Sequence, residues 1–301
     1  MNVSKVAALG VFLITFIWGI EFVLIHNAIE FLDPHSFNAV RFGIAALFIA
    51  LCTVVKKKFK GFNKDIILNG CFLGLLLYLG FTFQTMGLLY TTVSNCGFIT
   101  SLSVILVPLI ALILLKEPFQ LLTGVGIGGA ATGLYLLTAS GETPFNYGDL
   151  LTLIGAIGFA LHIIYTGKLG RKHEILKLTL IQLSTVSILS LGSVLAFEGV
   201  NGLPHLSVMG KPIVMVAILI AAILGTGIAL MIQTFAQSHL TSTRVALIFT
   251  MEPVFAALTA FLVLNESLSD VAGLGALMII GGIIISEIPT GKQKKRALCD
   301  E

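Results

Sequence analysis

Two charged residues of opposite sign, Glu21 and Arg41, lie inside long apolar runs near the start of this chain. A third, Glu252, sits far downstream in another apolar run and is followed directly by Pro253. An ionisable side chain in such surroundings costs about 2.5–3.5 kcal/mol on membrane-insertion scales and normally faces a partner or a cavity. Glu21 and Arg41 can satisfy each other if their helices place them at one depth, either as a structural salt bridge or as an outer gate or solute contact. Glu252 is a lone carboxylate near the middle of its run, and Pro253 cannot donate a backbone hydrogen bond, so the helix is weakened there. Such a carboxylate suits a solute or proton site, or it braces neighbouring helices. Gln84 and Asn95, and likewise Gln233 and Arg244, are polar groups towards the ends of apolar runs; they can bind a polar solute, latch a gate or bridge helices. Trp18 lies three residues before Glu21, on nearly the same helix face, and offers an aromatic surface. His162 is either a group titrating near neutral pH or a hydrogen-bonded interior histidine.

The elements that hold these residues follow from composition. Of 301 residues, 56% are apolar and 11% charged, with a mean hydropathy of +1.02. Soluble domains carry about 25% charged residues, and disordered chains are charge-rich and apolar-poor. Both classes are excluded. The cysteines, Cys52, Cys71, Cys96 and Cys299, show no metal-ligand spacing, so neither disulfide nor metal nor other cofactor is expected. The first apolar stretch, from after Lys5 to about Ile25, is too long for a signal-peptide core and reads as a retained span.

A membrane helix needs about 20 mostly apolar residues. Such runs fall near 6–26, 35–55, 65–90, 92–115, 121–139, 147–168, 175–197, 212–238, 241–264 and 267–287, which predicts ten spans. They are continuous rather than alternating, which favours helices over a barrel. With ten crossings, Lys5, Lys56–Lys64, Lys116, Lys168–Lys177 and Lys292–Arg296 all fall on one side. Lys211 alone falls on the other, with Glu30, Asp33, Glu142, Asp149, Glu198, Glu266 and Asp270. The positive-inside rule then puts both termini in the cytoplasm. These clusters are topology signals, and no nucleic-acid partner is expected. Counted from the outer ends of their spans at 1.5 Å per residue, Glu21 lies roughly 7.5 Å deep and Arg41 roughly 9 Å. An ion pair between consecutive helices is therefore natural.

The chain also resembles itself. At an offset of 149, Gln84-Thr85 falls on Gln233-Thr234, Thr92 on Thr241, Glu117 on Glu266, and Gly124, Gly126 and Gly133 on Gly273, Gly275 and Gly282. A weaker register at 141 places Glu21 opposite His162 and Arg41 opposite Gln182. Five helices per half is an odd number, so the halves are inverted, a mark of secondary transporters. The expected fold is an all-α membrane protein with ten transmembrane helices as two inverted five-helix repeats, 1–145 and 146–288, and a basic cytoplasmic tail at 289–301.

The segment Ser94-Asn95-Cys96-Gly97-Phe98-Ile99-Thr100-Ser101-Leu102, then Pro108 and Lys116-Glu117, resembles the EamA half-repeat of the drug/metabolite transporter superfamily. So does Thr250-Met251-Glu252-Pro253-Val254-Phe255-Ala256-Ala257, followed by Asn265-Glu266; Trp18-Gly19 and Arg41-Phe42 also fit. The resemblance covers essentially the whole chain. It implies a permease or exporter of small metabolites such as amino acids or drug-like solutes, working from the cytoplasmic membrane around a cavity between the halves. His162 departs from the pattern, where a bulky apolar residue is usual. The residues themselves favour neutral solutes over phosphorylated ones, because a phosphate site needs several convergent basic groups.

Other motifs are set aside. Gly124-x-Gly126-x-x-Gly129 lies in an apolar span with no preceding strand, so it reads as helix packing rather than dinucleotide binding. An intramembrane lipid-modifying enzyme would need Asp, His or Ser clustered at one face, and a receptor or assembly factor a long soluble segment; neither feature is seen. The partners expected are the lipid bilayer and a small-molecule substrate. A monomer suffices, and a homodimer is compatible.

Overall fold

The computed structural model describes residues 2–59, 61–114, 121–138, 145–199, 206–264 and 270–287. Among these residues every regular element is a helix. In chain order they are α1 (Val3–Ile29), α2 (Pro34–Val55), α3 (Lys64–Gly87), α4 (Val93–Ser101), α5 (Ser103–Leu114), α6 (Leu121–Thr138), α7 (Tyr147–Leu169) and α8 (Ile175–Ser193). There follow α9 (Leu206–Met209), α10 (Pro212–Leu219), α11 (Ala229–His239), α12 (Ser242–Phe249), α13 (Met251–Leu264) and α14 (Asp270–Glu287). Lys116-Glu117, Asn265-Glu266, the turn formers at 140–144, Cys299 and the basic tail lie outside the described residues.

Among the described residues seven stretches are long and apolar enough to cross a membrane: Val3–Glu21, Pro34–Val55, Lys64–Gly87, Asn95–Leu114, Tyr147–Leu169, Ile175–Phe197 and Pro212–His239. Leu121–Leu137 and Asp270–Ser286 are shorter apolar helices. Large apolar side chains such as Leu47 (72% exposed) in mid-α2 and Ile113 (74%) near the end of α5 point outward, while Asn38, Arg41, Thr179 and Gln182 are buried.

Four runs expected as single helices are interrupted. The run at 92–115 breaks at Leu102 between α4 and α5, and the run at 241–264 breaks at Thr250 between α12 and α13. Pro253 cannot bond back to the carbonyl of Phe249, and the Thr250 hydroxyl donates to the Leu247 carbonyl at 2.6 Å, so the helix restarts there. Two further runs change register: Val194–Glu198 follow α8 as a π-helix, and Ile220–Ile228 form one between α10 and α11. Hydropathy does not sense such a change.

Helix starts are set by capping side chains and by proline. Asn63 accepts from the Ile66 amide at 2.9 Å, and Asn146 and Asp149 form a reciprocal capping box. Pro34 and Pro212 occupy first turns, where the missing N–H costs nothing. Thr92 and Thr241 cap α4 and α12 alike, accepting from the amides of Asn95 and Arg244.

Glycines set which helices touch. A Cβ at Gly126 would lie 2.5 Å from the Gly282 carbonyl oxygen, and one at Gly133 would lie 2.5 Å from that of Gly275, so α6 and α14 cross antiparallel at backbone contact. Gly87 meets Gly148, and Gly80 meets Gly155 and Gly158, which sets α3 antiparallel to α7. Small residues permit this approach where lipid removes the hydrophobic drive between helices. Where α2 ends and α8 begins, Glu174 bonds Lys58 at 2.8 Å and Lys177 at 2.9 Å. The hydrogen bond from Lys58, reinforced by Lys177, holds the Glu174 carboxyl below the usual carboxylate range.

Candidate functional site

Trp18, Glu21 and Ile25 recur on one face of α1 at the spacing of a helical stripe. That face meets the π-helical stretch Ile220–Ile228. The Trp18 indole donates to the Gly225 carbonyl at 2.7 Å. Glu21 lies against the same glycine, where an added Cβ would sit 1.8 Å from Oε2. Its other oxygen is 2.5 Å from Arg41 Nη2, with the two side chains 2% and 1% exposed. Arg41 Nε donates to Thr226 Oγ1 at 2.6 Å, and its guanidinium lies 4.9 Å from the Phe81 ring centroid. Depth counting therefore found the pair, but not its seat. π-Helical turns are rare and concentrate at functional positions; this one receives three candidate side chains from α1 and α2. Gly225→Ala is expected to push the Glu21 carboxylate off Arg41, lowering the thermal unfolding midpoint, whereas Gly225→Ala on a Glu21→Ala background should cost much less. Equal losses on both backgrounds would dissociate Gly225 from the pair.

A cavity of about 810 Å³, its mouth included, opens beside this cluster. Seven of the nine candidate residues line it: Trp18, Glu21, Arg41, Gln84, His162, Gln233 and Glu252. Its walls come from α1, α2, α3, α4, α5, α7, α11, α12 and α13 with Thr250 between the last two; α6, α8 and α14 contribute none. Gln84 donates to Thr100 at 2.9 Å. His162 is the hydrogen-bonded interior histidine, with Nε2 at 2.8 Å from Gln182 Oε1 and 3.1 Å from Thr166 Oγ1. Glu252, half-buried, has no hydrogen-bond or ion-pair partner among the described residues.

Asn95 and Arg244 do not line the cavity. Both stand at equivalent helix starts, three residues after Thr92 and Thr241, and Arg244 borders a separate apolar surface groove with Phe12 and Ile280. Their depth was legible in the sequence, but their facing was not.

The lining repeats between halves. Glu21 and Arg41 form an ion pair, and their counterparts at offset 141, His162 and Gln182, form a neutral hydrogen-bonded pair. Trp18 has Phe159 as its counterpart in the same register. At offset 149, Gln84, Ser101 and Ser103 correspond to Gln233, Thr250 and Glu252, and all six line the cavity. Phe81, Phe159, Phe249, Thr100, Ser101 and Ser103 are wall residues that reading the sequence missed. The two offsets would have found Phe159 and Ser103 as partners of Trp18 and Glu252. Nothing in the composition marked Gly225 and Thr226.

The family model of EamA-like transporters matches residues 5–139 and again 146–287. An uncharacterized transporter of Archaeoglobus fulgidus is 36% identical over 284 residues, covering 93% of this chain and 85% of that protein. The uncharacterized transporter YcxC of Bacillus subtilis is 26% identical over 305 residues, covering 96% of this chain and 95% of its relative. A solved crystal structure shares the fold with a TM-score of 0.77 at 15% identity, over 94% of this chain and 97% of the other. With two family matches spanning almost its whole length and several apolar helices, this multi-pass membrane protein belongs to the EamA-like transporter family.

Proposed function

We propose that the chain is a secondary transporter, a permease or exporter of small metabolites such as amino acids or drug-like solutes, that works by alternating access in the cytoplasmic membrane. In this reading it crosses ten times as two inverted five-helix repeats, 1–145 and 146–288, with both termini and the basic tail in the cytoplasm. One observation carries it: a cavity is walled by corresponding residues of both halves, with ionisable groups in its lining. Inverted repeats around such a site can exchange inward and outward shapes by rocking. The matched caps at Thr92 and Thr241, and the antiparallel glycine contacts between α6 and α14, support the same relation. The driving force is a solute or ion gradient, since the sequence holds no nucleotide-binding motif. No cofactor or metal enters the scheme.

The test is counterflow into liposomes holding purified protein and a panel of amino acids, amines and sugar phosphates. Uptake of at least one organic solute is expected, together with its loss in Glu252→Ala at unchanged membrane insertion and folding. Wild-type counterflow by that variant would remove Glu252 from the site. Uptake restricted to sugar phosphates would overturn the solute class, and tags placing the two termini on opposite faces would overturn the topology.

A further inference from the structure

We infer that the solute presents a positively charged nitrogen, a protonated amine or quaternary ammonium, to the Glu252 carboxylate, with its apolar body against the aromatic wall. This rests on the cavity being the transport site. The charges lining the cavity are Glu21, Arg41 and Glu252. Glu21 and Arg41 neutralise one another at 2.5 Å. Arg41 is further engaged through Nε by Thr226 and across its face by Phe81. Among the described residues Arg41 Nη1 lacks a hydrogen bond, as do both carboxylate oxygens of Glu21. The pair therefore leaves no surplus positive charge for an anionic solute.

Glu252 is the surplus. It faces the cavity without a partner among the described residues, and a charge removed from water is stabilised only by an opposite charge and hydrogen bonds. The rest of the wall is built to receive a cation. Trp18 is fixed by its bond to Gly225 and packs tilted against Phe249, ring centroids 5.1 Å apart, while Phe159 stands edge-on to Phe81 at 4.9 Å. Aromatic faces attract ammonium groups electrostatically. Thr100, Ser101, Ser103, Thr250, Gln84 and Gln233 supply oxygen acceptors for N–H groups. The lean towards neutral solutes drawn from the sequence is revised accordingly: it counted ionisable residues without knowing which cancel.

Trp18 is the only tryptophan in the chain, so its emission reports occupancy of this cavity directly. The experiment titrates purified protein with 2-phenylethylamine and choline, each against its uncharged isostere, 2-phenylethanol or 3,3-dimethylbutan-1-ol. The expected result is a saturable change in emission with an ammonium, and binding of its isostere weaker by about tenfold or more. Glu252→Gln should abolish that preference while still binding the isosteres, and Glu252→Asp should retain part of it. Equal affinity for charged and uncharged members, or no saturable response to either ammonium, overturns the inference. Isostere-level binding alongside robust counterflow of some other solute would overturn the inference and leave the transport reading standing. Glu252-dependent ammonium binding without counterflow of any solute would do the reverse.

Discussion

Arg41→Met is expected to destabilise the protein by about 3–5 kcal/mol, the usual cost of removing one member of a buried ion pair. The change leaves the Glu21 carboxylate, 2% exposed, without its counter-charge at 2.5 Å and adds a second uncompensated anion to a cavity that already holds Glu252. It also strips the Thr226 hydroxyl of its donor and uncovers the Phe81 ring. The double variant Glu21→Gln/Arg41→Met should recover much of the loss, because a buried pair exchanged for neutral groups of similar volume is close to neutral in stability. Thermal unfolding of the four proteins of this cycle in detergent measures the coupling. Additive losses would show that the two charges are stabilised by their surroundings rather than by each other. Counterflow on the same proteins separates roles: a stable double variant that still transports confines the pair to structure, and a stable one that does not assigns it to the solute path.

The second large effect is expected at the crossing of α6 and α14. Gly133→Ala and Gly275→Ala should each cost about 1–3 kcal/mol, the range for overfilling a close-packed contact, and leucine at either position more. A methyl group at each would lie 2.5 Å from a carbonyl oxygen of the opposite helix, and backbone cannot swing aside as a side-chain tip can. Controls come from the same two helices. Gly128 and Gly273 have open space where a Cβ would go, so alanine there should be neutral or raise stability by up to about 1 kcal/mol through helix propensity. Because α6 and α14 contribute no wall to the cavity, the damaging variants should lower the unfolding midpoint without changing which solutes compete. A changed solute preference, or equal effects of all four alanines, would contradict this division of labour.

The sequence carried more of this site than of the helices that hold it. Depth along consecutive spans sufficed to pair Glu21 with Arg41, and self-comparison matched Gln84 to Gln233 and Thr92 to Thr241, because polar residues are scarce enough in an apolar chain for coincidence to carry weight. What stayed hidden was rotational. Asn95 and Arg244 have the right depth, but they stand at helix starts outside the lining. The break at Thr250 follows from Pro253, whereas the one at Leu102, next to two serines, has no equally strong local cause. The π-helical turn around Gly225 lies in a run whose hydropathy is the same in either register. It is defined by what docks there, the indole of Trp18 and the carboxylate of Glu21, and those come from the other half of the chain.

That docking also orders the protein's biosynthesis. Trp18 and Gly225 are separated by 207 positions, and Arg41 and Thr226 by 185. The ribosome thus delivers Glu21 and Arg41 into the bilayer long before their seat exists. A newly inserted α1–α2 hairpin can keep both charges tolerable only by letting them find each other at once, and the seat then closes over a pair already made. A nascent chain stalled before Gly225 should therefore already pair Glu21 with Arg41, with the Trp18 indole still unanchored.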